Sequence, residues 1–297
     1  MIAAATATAL AACSSTSAPS ASSSGAPGTG MTATASTSSS ASGAGGMGMS
    51  ESEPMYGGTG LSASGGGFTL VPDRTSLAAG RAQSLRFKIN DSAGIAVTAF
   101  APDQTKLMHF YLVRSDLTGF QHVHPTMAAD GTWSASLAAL TPGSYRAYGA
   151  FNAKNTSGAT VAEVLSAQLT VAGTGASAAT PLPAAASTTT VDGYTLTVGG
   201  ETMAAMDHTL TVTVSKNGQP VTDLQPYLET YAHLTAIHAG DLAFAHLHPE
   251  GAAAMTDTGG PTLTFQTMMP KSGNWRFFIQ FQTGGVLHTG AITVHVG

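Results

Sequence analysis

A histidine-bearing stretch that occurs twice is the strongest constraint on how this chain can fold. The first copy runs from His109 to the motif Phe-Gln-His-Val-His-Pro at 120–125, and the second runs from His233 to Phe-Ala-His-Leu-His-Pro at 244–249. In each copy the first histidine precedes the His-x-His pair by 13 residues (122 − 109 = 246 − 233), and these three positions in the two copies account for six of the ten histidines. The sequence therefore predicts two related units with the same local arrangement of histidines.

The repeat extends well beyond the histidines. Pro102 and Pro226 are separated by the same 124 residues as the first histidines of the two copies (226 − 102 = 233 − 109). The offset becomes 130 at Gly-Ser-Tyr-Arg 143–146 and Gly-Asn-Trp-Arg 273–276 (273 − 143), because the second copy has a longer intervening loop. Repeats of this length are whole domains rather than solenoid units, so we interpret the chain as an internal duplication of one domain.

Short alternating segments predict strands in both units. Residues 85–90 alternate apolar and polar side chains, with the period of two that is typical of a half-buried strand. Turn residues such as Asp130-Gly131 and Pro142-Gly143 separate similar segments. Short strands at this spacing favour a β-sandwich. We therefore predict an all-β fold, with two tandem Ig-like β-sandwich domains after a disordered N-terminal leader.

Changes in composition divide the chain into segments. Residues 14–66 are mostly Ser, Thr, Ala and Gly, and a segment so poor in large apolar side chains is expected to be a disordered tether. Residues 174–188 have a similar composition and are predicted to form a linker. The first β-sandwich domain is then expected at 67–173 and the second at 189–297.

The N-terminal residues predict a lipid anchor. Leu-Ala-Ala-Cys at 10–13 ends an apolar run and resembles the lipobox of bacterial lipoproteins. The resemblance implies that residues 1–13 hold a signal peptide, that cleavage precedes Cys13, and that Cys13 is lipidated and anchors the protein outside the bacterial cell membrane. No Lys or Arg precedes the apolar run, unlike in a typical signal peptide. The alternative is a chance cysteine in an Ala-rich leader. No later segment has the roughly 18–20 apolar residues that span a bilayer.

The second histidine stretch has the symmetry of a β-hairpin. If His233 lies opposite His248, the turn is centred between Gly240 and Asp241, and Gly at the first central position suits a type II′ turn. Opposed residues project from the same face of a hairpin, and so do residues two positions apart. His246 is therefore expected on the same face as the other two histidines.

The first copy predicts the same arrangement and thus a metal site. His109 would lie opposite His124 and near His122, although the turn lacks Gly and a four-residue loop is equally compatible. Three neutral imidazoles with an open fourth position suit Zn(II) or Cu(II). We predict one histidine patch per domain, and the candidate ligands are His109, His122 and His124, and His233, His246 and His248. His288, on the last hairpin, is a further candidate. The alternative is that these histidines are structural and bond to the backbone.

Several function classes are poorly supported by the sequence. Charged residues make up 9% of the chain, the formal net charge is −5, and no basic patch occurs, which argues against nucleic-acid partners. Gly-x-Ser-x-Gly, a Gly-rich phosphate loop and His-Glu-x-x-His are all missing from the sequence. We therefore do not predict an enzyme.

The Phe-Gln-His-x-His-Pro stretch and the later Gly-x-(Tyr/Trp)-Arg strand resemble those of uncharacterised bacterial secreted proteins or lipoproteins with duplicated domains. The chain is also similar to small copper-handling β-sandwich proteins of the CopC and cupredoxin-like kind. That resemblance implies cupredoxin-like sandwiches and copper as the ligand. A cupredoxin electron-transfer site needs a cysteine, which neither domain contains, so binding or buffering is implied.

Two functions follow from these observations. The first is an extracytoplasmic, lipid-anchored protein that binds copper or zinc through the two histidine patches. The second is a metal-free cell-envelope module that contacts a partner protein through the face of a β-sheet.

Overall fold

The computed structural model describes residues 56–173, 178–251, 253–254 and 257–297, apart from the side chain of residue 248. All regular elements in these ranges are β-strands. No helix in them has the length and apolar character needed to cross a membrane. Cys13, the signal peptide and most of the tether lie outside the described residues, so the predicted lipid anchor stays a prediction.

Eleven strands come from the first unit of the described chain. They are β1 (Ser64–Gly65), β2 (Phe68–Pro72), β3 (Ser76–Ala78), β4 (Gln83–Asp91), β5 (Phe100–Ala101), β6 (His109–Arg114), β7 (Gln121–Val123), β8 (Thr126–Met127), β9 (Thr132–Leu137), β10 (Gly143–Lys154) and β11 (Thr160–Ala172).

These strands form the two sheets of a sandwich. One sheet has the order β1-β2-β4-β9-β8, and the other has the order β3-β11-β10-β6-β7, with β5 paired to β10. Phe87 of the first sheet stacks on Phe110 of the second sheet, with ring centroids 5.0 Å apart. Phe87 also stacks on Trp133 of its own sheet, with ring centroids 6.4 Å apart. The three rings are almost fully buried. Burial of large aromatic side chains between the sheets is the main stabilising contribution to such a core.

Nine strands come from the second unit of the described chain. They are β12 (Thr188–Val191), β13 (Tyr194–Gly199), β14 (Asp207–Lys216), β15 (Gln219–Pro220), β16 (Ala232–His238), β17 (Phe244–Pro249), β18 (Thr262–Met268), β19 (Gly273–Thr283) and β20 (Val286–Val296).

The strand order of the second unit repeats that of the first. It reads β12-β13-β14-β18-β17-β16-β19-β20, with β15 paired to β14. Strand β17 pairs with β16 at one end and with β18 at the other. In the first unit this single strand is replaced by β7, which pairs with β6, and β8, which pairs with β9. The prediction of an all-β chain with two tandem sandwich domains is therefore confirmed.

Each domain contributes one face to the contact between the two domains. Phe120 stacks on Phe278 with ring centroids 4.0 Å apart, and Tyr148 packs on Phe244 at 5.1 Å. Phe120 is equivalent to Phe244 by the offset of 124, and Tyr148 is equivalent to Phe278 by the offset of 130. The interface thus has the self-complementary pattern of a two-fold dimer, in which each contact occurs twice.

The register of both histidine hairpins agrees with the hairpin symmetry of the sequence. Tyr111 lies opposite His122 in the first hairpin, and Thr235 lies opposite His246 in the second. Because side chains alternate between the two faces of a strand, these pairs place His109 and His122 on one face of the first hairpin, and His233 and His246 on one face of the second. The hairpins are therefore the elements that position the candidate site.

The turn predicted for the second hairpin is wrong. The last backbone pair is His238 with Ala243, where the amide of His238 donates to the carbonyl oxygen of Ala243 over 2.8 Å. This leaves a four-residue loop at 239–242 instead of a two-residue turn. Leu242 takes a positive φ of 63° in the loop, a conformation that is uncommon for a residue with a Cβ atom.

Candidate functional site

Histidines from both domains meet in one cluster at the interface. The histidine cluster consists of His109, His122, His124, His233 and His246. The ring centroid of His109 lies 6.5 Å from that of His233 and 6.3 Å from that of His246, and the ring centroid of His122 lies 6.0 Å from that of His233. One patch per domain was predicted, but the rings share a single region, because the hairpin faces that carry them are the faces through which the domains pack.

The three first-domain histidines approach one another most closely. The Nδ1 atom of His109 lies 3.1 Å from the Nε2 atom of His122, and the ring of His124 lies 4.7 Å from that of His122 between centroids. One nitrogen from each of the three lies within 4.8 Å of the others, a distance that no other trio of His, Cys, Asp or Glu side chains in the described residues meets. The first-domain trio therefore has the geometry of a set of metal ligands.

Hydrogen bonds on the far side of two rings define where their protons lie. His109 Nε2 is 3.0 Å from the backbone oxygen of Asp103, which can only accept, so Nε2–H donates and Nδ1 keeps a lone pair. His122 Nδ1 is 2.7 Å from Gln280 Oε1, and the amide nitrogen of Gln280 donates to Thr289. His122 Nδ1–H therefore donates, and its Nε2 also keeps a lone pair.

The 3.1 Å gap between His109 Nδ1 and His122 Nε2 thus separates two lone pairs. Two lone pairs at this separation repel each other, and a proton or a metal ion between them would remove the repulsion. Burial lowers the pKa of His109. Burial also lowers the pKa of His122 well below its usual value, and the neighbouring His109, His124 and His233 lower it further. A proton between the two nitrogens is therefore disfavoured. The observed gap is close to the separation expected for two metal ligands, since two nitrogens at about 2.0–2.1 Å from a tetrahedral ion would lie roughly 3.3 Å apart.

His124 has a nitrogen with no visible partner. Its Nε2 atom is buried and has no hydrogen-bond partner among the described residues. Burial, and then the charges of His109 and Lys106, lower the pKa of His124 to about 3, so the ring is neutral at physiological pH. Buried polar atoms almost always have a partner, and an ion bound to the trio would provide one.

The second-domain histidines repeat this arrangement only in part. His233 Nε2 is 2.9 Å from the backbone oxygen of Tyr227, which is the equivalent of the contact made by His109. His246 differs from its counterpart, since its Nδ1 lies 3.3 Å from the hydroxyl of Tyr111 in the other domain. The side chain of His248 lies outside the described part of the chain. The predicted trio of the second domain stays a prediction.

His288 is placed on the other side of its sheet. It lies opposite Phe281 in the pairing of β19 with β20 and packs on the Phe281 ring inside the second domain. Its Nδ1 is 2.8 Å from Asp192 Oδ2, and its Nε2 is 3.0 Å from Thr283 Oγ1. Both ring nitrogens are engaged, and strand alternation directs the ring away from the interface, so the structure does not bring this further candidate to the histidine cluster.

Sequence reasoning missed two neighbours of the cluster. Tyr111 stacks on His122 with ring centroids 4.3 Å apart, and Gln280 bonds to the far side of the same ring. Gln280 lies directly opposite His233 on the adjacent strand, a pairing that the hydrophobic pattern of the two strands does not specify. No signal in the sequence shows that it reaches His122 of the other domain.

The metal-free protein is expected to lose stability as the pH falls from about 7 to 5. A histidine of the unfolded chain has a pKa near 6.5, while the pKa of His124 in the folded chain is about 3. The unfolded state then binds more protons in this window, so the free energy of unfolding decreases as the pH decreases. Urea unfolding of chelator-treated protein measures this dependence. His124→Gln should show a shallower loss, and a free energy that is constant from pH 7 to 5 would contradict the prediction.

Comparison with solved structures shows only distant likenesses. FdeC, an adhesin of Escherichia coli, is 16% identical with a TM-score of 0.25, and the match covers 82% of this chain and 66% of that one. InvE, an adhesin of Yersinia pseudotuberculosis, is 15% identical with a TM-score of 0.23, covering 77% and 59%. Bovine butyrophilin is 10% identical with a TM-score of 0.21, covering 77% and 99%. The chain spans less than two thirds of the two adhesin chains. Scores this low support no conclusion about function.

The family comparison agrees with the duplication seen in the fold. No curated protein matches the sequence. A family model described as a domain of unknown function, DUF8832, matches residues 63–168 and again residues 189–297. The two matches together span most of the chain and correspond to the two sandwiches. The chain therefore belongs to the DUF8832 family and carries two tandem copies of its domain.

Proposed function

We propose that this protein binds a copper or zinc ion outside the cytoplasm, through His109, His122 and His124. The observation that carries the proposal is that a lone pair on His109 Nδ1 faces a lone pair on His122 Nε2 across 3.1 Å. Each is held in that orientation by an oxygen acceptor on the far side of the ring. Histidine ligands of metal ions commonly donate their other ring N–H to such an acceptor.

The donor set restricts the class of ion. Three imidazole nitrogens suit Zn(II) and Cu(II), whereas hard ions such as Mg²⁺ and Ca²⁺ prefer oxygen ligands. The one cysteine of the chain, Cys13, precedes both folded domains, and blue-copper electron transfer requires a cysteine ligand in the domain. The activity proposed is therefore storage, buffering or delivery of the ion, in line with the resemblance to copper-handling sandwich proteins.

The location in the cell is part of the same proposal. The support for it is the lipobox-like sequence at 10–13 and the Ser-rich, Gly-rich segment that follows it. A chain of that composition would hold the folded domains some distance from a membrane to which Cys13 was attached.

A metal-free envelope module that contacts a partner protein is the second candidate. The observation that favours it is the hydrogen bond from the first histidine of each copy to a backbone oxygen, of Asp103 or Tyr227. Such bonds are what a purely structural histidine needs. This reading leaves the facing lone pairs of His109 and His122 and the buried Nε2 of His124 unexplained.

Metal loading separates the two candidates. Protein purified without a histidine tag, stripped with a chelator and loaded with Cu(II) or Zn(II), is expected to retain at least one ion per chain after desalting. Free metal at 100 times its Kd should stabilise the fold by about 2.7 kcal/mol and raise the Tm by about 5–10 °C. Elemental analysis and thermal melting measure both effects. A metal content near zero, with an unchanged Tm, would leave only the metal-free module.

A further inference from the structure

The two halves of the histidine cluster differ at the position that lies opposite the first histidine on the neighbouring strand. Ala150 lies opposite His109 in the pairing of β6 with β10, and Gln280 lies opposite His233 in the pairing of β16 with β19. Ala150 and Gln280 are therefore equivalent positions of the duplicated domain. Only the glutamine carries a side-chain hydrogen-bond acceptor.

Gln280 holds the imidazole of His122 in the tautomer that can bind an ion. The amide oxygen of Gln280 can only accept, so it fixes the proton of His122 on Nδ1 and directs the lone pair of Nε2 towards His109. His246 has an alanine at the corresponding place and lies instead beside the hydroxyl of Tyr111.

We propose that the second domain completes the metal site of the first through Gln280, a positioning residue for His122 across the interface. The inference rests on the proposed function, because it concerns the same ion. Gln280 is 4% exposed and is itself held by Thr289, so the acceptor is rigid and excluded from water. Metal affinity in the first domain then depends on its packing against the second.

The test compares three variants of the whole protein in Zn(II) competition with a chromophoric chelator. Gln280→Leu keeps similar volume but removes the acceptor, and its affinity should fall by about 10–100-fold, as for other outer partners of metal-bound histidines. Gln280→Glu restores an acceptor, and its affinity should equal or exceed that of the wild type. Gln282→Leu, the same change two residues along the strand, is the matched control and should bind like the wild type.

The outcomes distinguish this inference from the proposed function. Wild-type affinity in Gln280→Leu would overturn the positioning role, while metal binding itself would stand. No ion in the wild type would overturn both. If Gln280→Leu does not fold, as judged by circular dichroism, then Gln280→Glu decides: wild-type or tighter affinity supports the role, and weaker affinity contradicts it.

Discussion

Replacing His122 with alanine is expected to weaken Cu(II) or Zn(II) binding by more than about 100-fold, because the outer partners of metal-bound histidines alone account for about 10–100-fold. His122 lies close to both other first-domain rings: its Nε2 atom is 3.1 Å from His109 Nδ1, and its ring centroid is 4.7 Å from that of His124. Its removal therefore takes away one of the three ligands. Competition with a chelator of known affinity measures the change.

The matched control for this prediction is His295→Ala. His295 is an exposed histidine near the C-terminus that bonds to Asn274 and lies outside the histidine cluster. This variant should bind metal like the wild type. Equal affinity in His122→Ala and His295→Ala, with both proteins folded, would mean that any ion bound by the chain is bound elsewhere.

Replacing Phe278 with alanine is expected to lower the free energy of unfolding by about 3–5 kcal/mol, the usual cost of removing a buried phenylalanine ring. Phe278 is 4% exposed and stacks on Phe120 of the other domain at 4.0 Å, with the ring planes 5° apart. The substitution leaves a cavity at the interface that the two sheets cannot close without moving. Urea unfolding followed by tryptophan fluorescence measures the loss.

Val286→Ala provides the comparison for Phe278→Ala. Val286 is 56% exposed on the last hairpin, so its truncation should change the free energy of unfolding by no more than about 0.5 kcal/mol. A loss of similar size in both variants would show that the aromatic contact between the domains contributes little to stability.

Much of the fold follows from local patterns in the sequence. Alternation of apolar and polar residues, as at 85–90, indicates a strand, since a half-buried strand has a period of two. The repeated separations between His109, His122 and Pro125 and their counterparts indicate a duplicated domain. The hairpin register also follows, because the symmetric spacing of the histidines in both copies predicts the pairs Tyr111 with His122 and Thr235 with His246.

The conformation of the turns was less accessible to sequence reasoning. Gly240 suggests a type II′ turn, yet the positive φ falls on Leu242, a residue type that turn statistics do not associate with that conformation. Leu242 packs with Phe244 and Tyr148 in the apolar part of the interface. Burial of its side chain against the other domain offsets the conformational cost, and this contribution is invisible in the local sequence.

The sequence by itself determined the duplication, the β-sandwich class and the shared face of each histidine hairpin, because all three depend on spacing along a strand. Only the tertiary structure decided that the two histidine faces meet in one cluster and that Gln280 reaches His122, 158 residues away. The physical reason is that packing between two complete domains depends on the shape of both surfaces, and no local periodicity of either strand encodes which residues face each other across it.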